Sequence, residues 1–183
     1  MRNFRTEGII IRRRDFKDAD RILTVLTRDH GKIAVRASGI RRIPSRRSPH
    51  VELLNHCTLS LYQGSKFPIL TEAQTLDSFS SIKDDLHKIG LAYHLCELVD
   101  GLCPEGQENR GVFGLVKTTL TRLASTVILE RSDNEAIESS ERILSRSLPL
   151  QDDNNLIHNF QTELLSYNRL QTNRQYNVHT HTS

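Results

Sequence analysis

The 183-residue sequence has no tryptophan and only 5% aromatic residues, so its core must be built mainly from Leu, Ile and Val. It has three cysteines, Cys57, Cys96 and Cys103, and an odd count without close pairing does not indicate a disulfide framework. Free thiols fit a reducing cytoplasm. The longest apolar run, Gly8 to Ile11, is far too short to span a bilayer. The first residues also lack the apolar segment of a signal peptide, so neither export nor a membrane location is expected.

Common signatures of catalysis and metal binding are also missing. The sequence has no GxxxxGK[ST], GxSxG, HExxH or CxxC motif. Zinc sites need paired Cys or His ligands at short spacing, whereas Cys96 and Cys103 are seven residues apart without a second pair. His179-Thr180-His181 lies in a polar terminal segment. These absences predict a protein that is not an enzyme and has no cofactor or metal.

Charge is distributed unevenly along the chain. Residues 1–50 contain 14 Lys or Arg and 5 Asp or Glu, a net charge of +9, whereas residues 51–183 contain 11 and 17, a net charge of −6. Such asymmetry indicates a basic face for polyanions, joined to an acidic remainder.

The amino-terminal part has the periodicity of β-structure. Apolar and β-branched residues alternate with polar ones over five short segments, which turn residues such as Gly31 and Gly64 separate. The predicted strands are residues 6–13, 21–27, 32–37, 56–62 and 67–76. Five short strands with a long loop between the third and fourth favour an OB-fold barrel, although an SH3-like barrel would give much the same pattern.

After residue 78 the period becomes helical. Apolar stripes predict helices near residues 82–96, 111–127, 134–148 and 153–167. The sequence thus predicts an α+β chain with a five-stranded OB-fold barrel over residues 1–77 and a small all-helical domain over residues 78–167. Residues 168–183 are polar and are expected to form a disordered tail.

The long loop is the leading candidate for nucleic-acid binding. Residues 36–47 contain five arginines and no acidic residue that could pair with them. Permanently charged donors on an exposed backbone suit phosphate groups. The five are Arg36, Arg41, Arg42, Arg46 and Arg47.

Further candidates lie on the strands. Arg12 and Arg14 share one face of the first strand, where they could bind DNA or be neutralised by the aspartates that follow them. Lys32 shares a face with Arg36 on the third strand. Tyr62 lies on the polar face of the fourth strand and could stack on a base, whereas Phe16 and Phe67 are interpreted as barrel core.

The order of several motifs resembles the RecO family. The segment from Asp20 to Ile33, which contains Thr-Arg-Asp-His-Gly-Lys, resembles that family's second and third strands with the turn between them. Residues 38–46 are similar to its Gly-x-Arg-Arg and Ser-Arg loop, and residues 59–64 to its next strand and turn. Residues 96–100 look like its Glu-Leu-Val-Asp helix, and residues 160–167 like its Phe-x-x-x-Leu-Leu stretch.

This resemblance implies an OB-fold followed by helices, and binding of single- and double-stranded DNA. It further implies strand annealing and help in replacing single-strand-binding protein with the recombinase RecA, with RecR as a partner. A bacterial, cytoplasmic and nucleoid-associated location is implied as well.

Two features depart from the family. Many members have a four-cysteine zinc site, which three cysteines cannot form, and most continue for several helices beyond the Leu-Leu stretch. The second departure concerns the carboxyl-terminal helices, so the resemblance does not locate the surface that binds the tail of single-strand-binding protein. Two alternatives therefore stay open: an interaction adaptor with weak DNA affinity, and an OB-fold protein that binds RNA.

Overall fold

The computed structural model describes residues 3–42, 45–125 and 151–179. Its first five elements form a closed barrel in the order β1-β2-β3-β5-β4, in which β1 pairs with both β2 and β4. All pairs are antiparallel except β3 with β5. This topology confirms the predicted OB-fold. The strands are β1 (Asn3–Phe16), β2 (Asp20–Thr27), β3 (Gly31–Ala37), β4 (His56–Tyr62) and β5 (Ile69–Asp77).

Alternation along the strands fills the inside of the barrel. On β4, Cys57, Leu59 and Leu61 are buried, whereas the intervening residues from Thr58 onward are half-buried on the outside. Burial of apolar side chains on one face is what fixes strand register, because a slip of one residue would turn the whole set outward. The predicted bounds of β4 are confirmed.

Helices follow the barrel. They are α1 (Ser80–Lys83), α2 (Leu86–Leu102), α3 (Arg110–Ser125) and α4 (Gln151–His179). The Asp85 carboxylate caps α2 by accepting from the backbone N–H groups of His87 and Lys88. The continuous stripe predicted for residues 82–96 is wrong, because a break separates α1 from α2 and leaves Leu86 90% exposed. No helix within the described residues is long and apolar enough to cross a membrane.

The last helix extends beyond its predicted end. Residues 168–179 continue α4, so the disordered tail predicted from residue 168 is wrong over this range. The segment contains no Pro or Gly, and helix continuation needs no apolar residues when the backbone bonds are satisfied within the helix. The helix predicted over residues 134–148 lies outside the described residues.

The barrel and the helices share an apolar cluster. Ile9, Ile11 and Leu26 from the barrel pack with Val99 of α2 and Phe160 of α4. Hydrophobic burial across this contact therefore fixes the helices against one side of the barrel.

Candidate nucleic-acid interface

The start of the long loop is organised by one buried carboxylate, Asp20 at the beginning of β2. Asp20 accepts two hydrogen bonds from the Arg36 guanidinium, at 2.9 and 2.7 Å, one from Ser38 Oγ and one from the Gly39 backbone N–H at 2.8 Å. The Gly39 and Arg36 hydrogen bonds hold the pKa of Asp20 below its usual range, so the carboxylate stays ionised. Asp20 thus ties the loop to the β1–β2 hairpin and neutralises Arg36.

A second aspartate of the same hairpin faces the loop. Asp15 pairs with Arg21 at 2.8 Å and with Arg41 at 3.4 Å. The expectation that no acidic residue pairs with the loop arginines is therefore wrong for Arg36 and Arg41. Their partners come from another element, which the local sequence does not reveal.

Arg47 has a bridging position. Its guanidinium donates to the carbonyl oxygen of Leu70 on β5 at 2.8 Å and to that of Ser38 at 2.9 Å. Carbonyl groups satisfy its donors but do not cancel its charge. Arg47 therefore stabilises the loop and still contributes a positive potential.

These contacts form an open groove of about 620 Å³ beside β5, called here the loop groove. Arg42 and Arg46 are exposed on its rim and make no ion pair with any described residue. Arginine guanidinium groups in this setting are ready donors for phosphate oxygens. The groove is lined by Asp20, Ser38, Gly39, Arg42, Ser45, Arg46, Arg47, Ile69 and Leu70.

A smaller groove of about 300 Å³, called here the strand groove, crosses the outer face of β1, β2 and β3. Arg14 is exposed on it, without an ion pair to the described residues, and Arg12 pairs with Asp100 of α2 at 3.0 Å. Its lining combines charged and polar side chains with the half-buried ring of Phe67. The lining residues are Arg12, Arg14, Ile22, Thr24, Ala34, Phe67, Asp100 and Glu105.

One row of paired strand residues contains lining residues of both grooves. Strand register places Arg14, Ile22, Arg36, Ile69 and Tyr62 next to one another across β1, β2, β3, β5 and β4. Arg14 and Ile22 line the strand groove, and Ile69 lines the loop groove. Tyr62 ends the row, half-buried, and lines neither groove.

Lys32 does not lie on an open surface. Its side chain is 7% exposed, and its ammonium group donates to the backbone carbonyl and the carboxylate of Asp100. The segment after α2 covers this end of β3, where Lys32 and Glu105 form a bridge. Strand alternation predicts Lys32 on the outer face of the barrel, but that face is covered here, so the side chain is not exposed to a DNA strand.

The interpretation of Phe16 and Phe67 as barrel core is wrong, because both are half-buried at the barrel surface. Phe67 lines the strand groove, and the Lys66 ammonium lies 5.6 Å from its ring centre. Arg36 lies 5.8 Å from the ring centre of Phe16. The turn residues Gly64 and Pro68 around Phe67 were the available signal that it lies on a loop.

Two family models match successive parts of the chain. The family model described as Recombination protein O N terminal matches residues 1–79, and the one described as Recombination protein O C terminal matches residues 83–137.

Curated relatives carry the name DNA repair protein RecO. The protein from Roseiflexus sp. (strain RS-1) is 43% identical over 122 residues, which are 67% of this chain and 43% of that protein. The protein from Desulforudis audaxviator is 36% identical over 124 residues, 68% of this chain and 50% of that protein. This chain thus spans about half the length of the curated relatives it matches. Both family models, in chain order on an OB-fold followed by helices, show that the chain belongs to the RecO family.

Proposed function

We propose that this chain is a non-enzymatic DNA-binding mediator of recombinational repair. In this proposal it anneals complementary single strands and assists the loading of RecA onto DNA that is coated with single-strand-binding protein. The observation that carries the proposal is the loop groove, where Arg42, Arg46 and Arg47 present charge that no carboxylate pairs with among the described residues. The names of the curated relatives support the biological setting.

Phosphate contacts account for the binding step. Arginines at the groove rim release counterions from DNA, which gives affinity without sequence readout. The strand groove adds the half-buried ring of Phe67, on which an unstacked base can pack. A single strand that follows the row from Arg14 to Ile69 would touch both grooves.

Annealing then follows from charge screening. Two strands repel each other through their phosphates, and a basic face that holds both of them lowers this repulsion. The step needs no nucleotide hydrolysis. RecR and the tail of single-strand-binding protein are the partners in this proposal, and the family resemblance supports them.

The test is an ATP-free annealing assay with the full chain and two complementary labelled strands. Arg42→Ala/Arg46→Ala should slow annealing severalfold, because both side chains are exposed and their loss leaves the fold intact. Arg5→Ala/Arg169→Ala is the matched control, since it removes the same charge from exposed sites that line neither groove.

Equal slowing in both variants would show that net charge, and not this groove, drives annealing. Absence of both annealing and single-strand binding in the wild type would favour the adaptor alternative. Tighter binding of an RNA strand than of the DNA strand of the same sequence would favour the RNA-binding alternative.

A further inference from the structure

Asp100, in the last turn of α2, lies between two cations of the barrel. Its Oδ2 atom is 3.0 Å from Arg12 Nη1, and its Oδ1 atom is 3.1 Å from Lys32 Nζ. The backbone carbonyl of Asp100 accepts a further hydrogen bond from Lys32. One residue of the helical part thus engages β1 and β3 at the edge of the strand groove.

The two ion pairs differ in exposure. The Lys32 side chain is 7% exposed, whereas the Arg12 side chain is 64% exposed. A buried pair is costly to break, while an exposed pair contributes little and exchanges readily. Arg12 can therefore leave Asp100 for a phosphate, and Lys32 cannot.

Carboxylates balance the arginines of this groove. Arg12 and Arg14 line it together with Asp100 and Glu105. Burial would raise the pKa of Asp100, but the hydrogen bonds from Lys32 and Arg12 outweigh it and lower the pKa. Asp100 is thus anionic at neutral pH, and the formal charge of the groove lining is zero.

We propose that Asp100 limits the affinity of the barrel for DNA. It holds Arg12 away from phosphates when DNA is absent, and its negative charge opposes a strand that enters the strand groove. This inference rests on the proposed function. Such a limit suits annealing, because a strand that is held too tightly cannot pass to its complement.

The test is the fluorescence anisotropy of a labelled mixed-sequence DNA single strand, titrated with the full chain at low salt. Asp100→Asn keeps an oxygen that accepts from Lys32 but removes the charge. We expect it to tighten binding roughly threefold to tenfold, the range of one released surface ion pair plus relieved repulsion. In the Arg12→Ala background the same substitution should give less than half of this gain, since Arg12 is the residue that Asp100 restrains.

Two further variants complete the design. Glu105→Gln removes the other carboxylate from the groove at an exposed position and should tighten binding about twofold. Glu163→Gln makes the same charge change at an exposed site of α4 and should leave the affinity unchanged.

The outcomes separate the two proposals. Wild-type binding that weakens with salt, together with an unchanged or weaker affinity of folded Asp100→Asn, overturns the role of Asp100 and leaves the proposed function standing. An equal gain in DNA affinity for Glu163→Gln also overturns the role of Asp100, because the change in net charge would then explain the tighter binding. If Asp100→Asn does not fold, an unchanged affinity of Glu105→Gln overturns it. No binding by any variant would overturn both proposals.

Discussion

Replacement of Lys32 with methionine separates a structural role from a DNA contact. Lys32→Met keeps most of the apolar stem and removes the ammonium group that donates twice to Asp100. A strand-face lysine beside a proposed DNA groove would ordinarily be assigned to the DNA. The structure instead gives it a buried position between the barrel and α2.

The expected loss follows from these contacts. Removal of one partner from a fully buried ion pair costs about 3–5 kcal/mol. In this variant Asp100 still pairs with Arg12, and its side chain is 25% exposed, so its carboxylate does not become an unpaired buried charge. We therefore expect Lys32→Met to lower the free energy of unfolding by about 2 kcal/mol.

Urea unfolding followed by far-ultraviolet circular dichroism measures this loss. With a slope of about 2 kcal/mol per molar, the midpoint should fall by roughly 1 M. Arg12→Ala removes the exposed partner of the same carboxylate and should cost less than about 1 kcal/mol. An unchanged midpoint of Lys32→Met, combined with weaker single-strand binding, would refute the reasoning and restore Lys32 as a DNA contact.

Two more predictions concern stability. Gly31 has a φ of +65°, and an added Cβ would overlap the backbone oxygen of Gln107. Gly31→Ala should therefore lower the free energy of unfolding by at least about 2 kcal/mol in the same urea assay. A loss below about 0.5 kcal/mol would contradict this prediction. Burial would raise the pKa of Glu7, but hydrogen bonds from Lys117 and His56 outweigh it and lower the pKa. The stability that Glu7 contributes is therefore complete above the pKa of the unfolded carboxyl and is lost as the pH falls through the lower folded value. Glu7→Gln should accordingly lower the free energy of unfolding at pH 7, and the difference from the wild type should disappear in acid. Urea unfolding of both proteins at several pH values measures this difference.

Local patterns predicted the barrel well. Strict alternation over residues 56–62 gave the bounds of β4 and the burial of Cys57, because a half-buried strand must place every second side chain inside. Burial raises the pKa of Cys57 to about 12, which fits its interpretation as a core residue and not a reactive thiol.

Charge pairing between distant segments could not be predicted in this way. Arg36 and Asp20 are 16 residues apart, and Lys32 and Asp100 are 68 apart, so no local pattern connects them. Asp20 and Asp100 lie within segments that resemble the RecO family, but only the fold shows which cations they hold. Polar composition likewise misled the prediction for residues 168–179, because polar residues other than Gly and Pro can extend a helix that has already begun at Gln151.

The salt dependence of single-strand binding tests the central claim most directly. Affinity of the full chain for a labelled mixed-sequence DNA strand should fall steeply between low and moderate salt. Arg42→Ala/Arg46→Ala should lower the magnitude of the slope by roughly 1.4, at about 0.7 per lost phosphate contact, while Arg5→Ala/Arg169→Ala leaves it unchanged. A flat response of the wild type, or equal slopes for the wild type and the groove variant, would contradict the assignment of DNA binding to the loop groove.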